Sequence, residues 1–209
     1  MVRKNRTSVG EEIFNAISHG VGVLAGMVGL VVLLVRLQGN WNSLRFWGWL
    51  VFGVTLILMY LMSTLYHSLM FTRARRVFKW IDHTTIGLFI AGSYTPLALV
   101  TLRDNHGWLL LVGVWLLTIM GILWRIFGVY KDQVSLALYL ISGWMAMLMI
   151  KPLVHHLPAV ALYLMVIGGL SYTIGTIFYK WKSLAFSHGI WHMFVLVGSI
   201  CHFFTMMYV

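Results

Sequence analysis

Residues 186–209, FSHGIWHMFVLVGSICHFFTMMYV, decide how this chain is read. As an α-helix the stretch is long enough to cross the roughly 30 Å hydrocarbon core of a bilayer. The same helix carries His188 and His192 four positions apart, which puts both imidazoles on one face. Ionisable groups are costly in hydrocarbon, so they turn into a bundle interior and mark function there. The segment therefore predicts a spanning helix that contributes a two-histidine face to a site.

Working outward, six further apolar runs of similar length precede it. Spans are predicted near 14–36, 45–68, 80–101, 107–125, 133–150, 158–178 and 187–208. Hydrophobic residues make up 60% of the chain and charged ones only 10%. Soluble domains carry about 25% charged residues, so the main solvent is lipid. The fold class expected is an all-α, seven-transmembrane helix bundle with short connections. It forms a single domain over residues 1–209, with a short cytoplasmic segment at 1–13. Ser8 and Glu11 have capping-box spacing and would start a helix that runs into the first span. Gly22, Gly26 and Gly29 lie on one side of that span and suit close helix packing. The run at 21–35 is followed by RLQGNWN rather than a small-residue cleavage pattern, so a retained first span is expected.

A net charge of +10 invites a nucleic-acid reading. The basic residues, however, are scattered between apolar runs as loop anchors rather than gathered on one face, so that class is excluded. Their sides differ. Arg3, Lys4, Arg6, Arg73, Arg75, Arg76, Lys79, Arg125, Lys131, Lys180 and Lys182 fall on the N-terminal side, eleven in all. Arg36, Arg45, Arg103 and Lys151 are the four on the other. The positive-inside rule then predicts a cytoplasmic N-terminus and an external C-terminus. The single cysteine, Cys201, leaves no room for a disulfide framework or a cysteine-based zinc cluster.

This orientation gathers scattered polar residues at one membrane level. The second span ends at the cytoplasmic side with STLYH (63–67), the third begins there with Asp82 and His83, and the seventh with His188 and His192. His67, His188 and His192 form the ligand set of a catalytic zinc site, three imidazoles with the fourth position left for water. Asp82 would hold that water or orient a ligand ring, and Ser63 would serve as a supporting or substrate-binding hydroxyl. Glu12, Asn15 and His19 line one stripe of the first span, as a structural lock or as the rim of the site. His83 points about 100° away from Asp82 and reads as a packing or supporting residue. His202 lies ten residues past His192, about 15 Å along the helix, too far to be a ligand. His106, His155 and His156 fall in outer loops.

EEIFNAISHGVG (11–22), STLYH (63–67), DH (82–83), AGSYTP (91–96), HGIWH (188–192) and GSICHF (198–203) occur in order along nearly the whole chain. Together they resemble the bacterial haemolysin-III family, the prokaryotic branch of the progestin and adipoQ receptor family. That group is placed with membrane hydrolases that include the alkaline ceramidases. The resemblance implies a seven-helix bundle with a zinc site near the cytoplasmic face. Its ligands would be His67, His188 and His192, with Asp82 and Ser63 nearby. It also implies location in the cell inner membrane and a link to membrane lipid and fluidity homeostasis.

Three functions are then open. The first is zinc-dependent hydrolysis of a membrane lipid, such as a ceramide-like amide. The second is a lipid or fluidity sensor in which zinc is structural. The third, a pore-forming haemolysin, ranks last because no span carries a continuous polar stripe.

Overall fold

The computed structural model describes residues 8–127 and 132–209. Four residues of the charge count, Arg3, Lys4, Arg6 and Lys131, lie outside the described residues. Helix α1 (Val9–Val35) starts at the Ser8 cap: the Ser8 hydroxyl accepts from Glu11 N–H, and the Glu11 carboxylate accepts from Ser8 N–H. The capping box expected from the sequence is therefore present, and the helix runs from it into the first span without a break. Helix α2 (Leu44–Ser68) is capped by Ser43, whose hydroxyl accepts from Phe46 N–H. Helix α3 (Arg75–Pro96) passes into a π-helical turn, Leu97–Thr101. Pro96 has no N–H to continue the i→i−4 ladder, which fits a change of winding just there.

Helix α4 (Gly107–Phe127) follows, and the fifth span is broken. It consists of α5 (Asp132–Gly143), a 3-10 stretch (Met145–Met149) and α6 (Ile150–His156). Interrupted backbone at membrane depth needs partners from the protein itself. Tyr94 supplies them: its hydroxyl donates to Gly143 C=O at 2.6 Å and accepts from Ala146 N–H at 3.0 Å. His155 and His156, expected in a loop, occupy the last turn of α6 instead, since the chain stays helical up to Leu157. Helices α7 (Ala159–Lys180) and α8 (Ser187–Met206) complete seven stretches that are long and apolar enough to cross a membrane.

The site is positioned by α1, which packs against both α2 and α8. The glycines predicted for close packing make this possible. A Cβ on Gly22 would stand 2.7 Å from the Tyr60 ring of α2, and one on Gly29 would stand 3.0 Å from Phe203 of α8. Phe186 precedes α8 in the left-handed region (φ 56°), and its N–H donates to Glu11 Oε1 at 2.7 Å. The Glu11 carboxylate thus caps α1 and fastens the entry of α8 to it. His188 and His192 follow within the next two turns.

Candidate metal centre

At the end of the bundle where α2 finishes and α3 and α8 begin, His67, His188 and His192 converge. One ring nitrogen from each lies within 4.8 Å of the others. His67 and His192 are buried and His188 is partly so. The Nε2 atoms of all three are buried without a hydrogen-bond partner. A buried nitrogen left unpaired costs about 1–3 kcal/mol, and three at one point are a strong departure from the usual rule.

The surrounding bonds orient two of the three rings. His67 Nδ1 lies 2.6 Å from Glu12 Oε2. A carboxylate accepts, so Nδ1 donates to it and Nε2 is the nitrogen turned to the cluster. The second oxygen of Glu12 accepts from Arg75, whose guanidinium also lies over the Tyr66 ring at 5.2 Å. His192 Nδ1 is 3.1 Å from Ser18 Oγ. That hydroxyl donates to Asn15 C=O at 2.9 Å, so it receives the Nδ1 proton of His192 and leaves Nε2 again as a lone pair. Carboxylate and hydroxyl partners of this kind orient metal-binding imidazoles and raise their basicity. The donor set therefore fits a metal ion. Three neutral imidazoles suit first-row metals such as zinc, copper, iron or nickel rather than calcium or magnesium.

His19 takes a different place. Its ring stacks on His192 with centroids 3.5 Å apart and 8° between planes, and its Nδ1 is 2.7 Å from Ser63 Oγ. Polar contacts thus lead from Ser63 on α2 through His19 on α1 to His192, and Asp82 of α3 lines the same cavity as Ser63 and His19. Asp82, Ser63 and His19 also form the polar end of a cavity of about 150 Å³ between α3, α5, α7 and α8. Beyond them its wall is mainly apolar, with Ile86, Phe89, Leu136 and Val195.

Of the five residues singled out from the sequence, the three histidines stand together, while Asp82 and Ser63 line a cavity that none of the three lines; Ser63 reaches the cluster through His19. His83 lines the cavity as well, and its carbonyl accepts from the Tyr139 hydroxyl. Of the α1 stripe, Glu12 bridges His67 and Arg75 and His19 lines the cavity, while Asn15 is buried next to neither. Glu12 as the partner of His67 was not singled out. The signal available was an acidic residue in phase with His19 on a membrane helix. His202 lies on the cavity wall, away from the cluster.

A seven-span helical bundle with a buried histidine triad, and with a largely apolar cavity reached past the His19 ring that stacks on His192, defines a class of polytopic membrane proteins with an intramembrane site. Within that class the chain belongs to the haemolysin-III related family, which it matches over residues 7–203. It is 40% identical to Hemolysin-3 of Bacillus cereus over 201 residues, covering 96% of this chain and 92% of that protein. It is also 40% identical to the Hemolysin-3 homolog of Bacillus subtilis, over 96% of this chain and 95% of that one. The human monocyte to macrophage differentiation factor, of the progestin and adipoQ receptor family, is 25% identical over 93% of this chain and 82% of its own length.

Proposed function

We propose that the protein is a zinc-dependent hydrolase of a membrane lipid, acting on an amide of the ceramide type and serving lipid and fluidity homeostasis. The observation that carries this reading is the convergence of three buried imidazoles whose Nε2 atoms have no hydrogen-bond partner, with His19, stacked on one of them, lining a cavity that also holds Ser63 and Asp82 and is otherwise largely apolar. His67, His188 and His192 would hold the metal. Zinc on three neutral imidazoles supplies a Lewis acid and, at neutral pH, a hydroxide nucleophile. Asp82 takes up the proton released during attack and returns it to the leaving amine. Ser63, held by His19, donates a hydrogen bond to the substrate carbonyl region. Glu12 keeps His67 in its metal-binding tautomer. The apolar wall receives the acyl chain.

The test is turnover itself. Zinc-loaded protein in lipid nanodiscs, incubated with a panel of N-acyl and O-acyl lipids, should release fatty acid detectable by mass spectrometry. Chelator-stripped protein should release none until zinc is restored. Absence of product from the loaded protein across the panel would transfer the site to the sensor reading, with zinc as a structural element.

We also propose that this end of the bundle faces the cytoplasm and that the protein resides in the inner membrane. The eleven-to-four distribution of basic residues supports it. A reporter active only outside the cytoplasm, fused after Val209, should be active, and the same reporter fused before Met1 silent. The reverse pattern would place the site at the external face.

A further inference from the structure

The proposed chemistry leaves Arg75 without a task, although Arg75 stands one residue away from a metal-binding ring. It opens α3, directly after the exposed turn 71–74. Its guanidinium donates to Glu12 Oε1, while the other oxygen of Glu12 accepts from His67 Nδ1 at 2.6 Å. The guanidinium also lies over the Tyr66 ring, 5.2 Å from its centroid. Tyr66 is the chain neighbour of His67, and the two rings are 4.6 Å apart. Side chains from three helices therefore close a loop: His67 and Tyr66 of α2, Glu12 of α1 and Arg75 of α3.

The two members of the ion pair differ in exposure. The Glu12 side chain is 2% exposed and that of Arg75 32%. A buried carboxylate needs hydrogen bonds on its oxygens and a charge to offset its own. His67 as a neutral ligand supplies one hydrogen bond and no charge. With that bond alone, the carboxylate could turn about its last torsion, which is broad for a glutamate, and the imidazole would turn with it. A guanidinium on the second oxygen fixes the carboxylate, and the Tyr66 ring holds the guanidinium in place.

We propose that Arg75 is a positioning residue of the metal centre: acting through Glu12, it holds the His67 ring with Nε2 turned to the ion. The inference rests on the zinc-site reading and deepens it. Its sign is opposite to what charge alone gives. Removing a cation from the neighbourhood of a divalent ion strengthens metal binding by Coulomb's law. Releasing the His67 ring weakens it. A purely architectural ion pair between α1 and α3 would alter the melting of the metal-free protein and leave the affinity of the folded chain where it was.

Zinc affinity tests this without turnover. Chelator-stripped protein in nanodiscs is titrated with zinc against a competing chelator dye, well below the melting temperature, so that only folded chains are read. Arg75→Gln should bind zinc about tenfold more weakly, the lower end of the loss for a partner that orients a ligand. The loss should vanish in a Glu12→Gln background, because a residue acting through Glu12 has nothing left to hold there. Arg76→Gln removes an equal charge from an exposed neighbour and should not weaken binding. Tyr66→Leu should weaken zinc about threefold, again only where Glu12 is present, and it decides the matter should Arg75→Gln fail to fold. Unchanged or tighter zinc in Arg75→Gln, a loss that persists beside Glu12→Gln, or the same loss in Arg76→Gln would overturn the inference and leave the metal site standing. A wild type that takes up no zinc would overturn the metal site itself.

Discussion

Alanine in place of any one of His67, His188 or His192 is expected to strip the protein of its metal. Wild type purified without chelator should carry about one zinc per chain, and each variant well under about a tenth of that, because two imidazoles do not complete a zinc site. The three nitrogens already lie within 4.8 Å of one another, so little reorganisation is needed for binding, and none of the three is redundant. Metal that binds only the folded state adds to stability. At 1,000 times Kd the gain is about 4.1 kcal/mol, and for a chain of this length its loss lowers the melting temperature by about 8 °C or more. Glu12→Gln should behave more mildly. It keeps the shape of the His67 partner but loses the carboxylate, and the expected weakening is about 10–100-fold. Elemental analysis and thermal unfolding in detergent measure both effects. Full zinc retention in all three alanine variants would remove the cluster as a metal site.

The second large effect concerns Asp82. Asp82→Asn preserves size and one carbonyl oxygen but removes the base. Fold and zinc content should therefore survive, with lipid hydrolysis falling by about 10²–10⁴-fold, the range for a lost general base. The split between metal content and rate is what separates chemistry from architecture. A structural zinc would show the opposite pattern, an altered melting temperature with no rate to lose. Activity equal to wild type in Asp82→Asn would exclude this residue as the base.

Much of this arrangement could be read in the chain, for definite reasons. Spanning helices need long apolar runs, so their number and approximate limits are written in hydropathy. The i, i+4 spacing of His188 and His192 required a shared face. Expense in hydrocarbon made His67 and Asp82 conspicuous. What could not be read depends on which helix lies beside which. The glycine stripe announced close packing of α1 without naming its neighbours, and only when α1 sits between α2 and α8 does Glu12 meet His67, Ser18 meet His192 and His19 meet Ser63. The break in the fifth span was also hidden. Residues 133–150 are mostly apolar and carry no proline or charge to mark the break, and the tyrosine that satisfies the interrupted backbone is some fifty positions away on α3. His202 looked remote because distance along α8 says nothing of the cavity it lines.

The placement of α1 beside α8 also bears on how the protein is made. These are the first and last helices of the bundle, they run in the same direction, and the metal-binding face of one is completed by residues of the other. A nascent chain that has threaded six spans into the bilayer holds one ligand of three, and its Ser18 lacks the ring it is destined to bond. Such long-range closure is slow relative to local helix pairing. Metal capture by the proposed site is therefore expected only after the last helix has inserted, and a loaded site would be the chemical signature of that step.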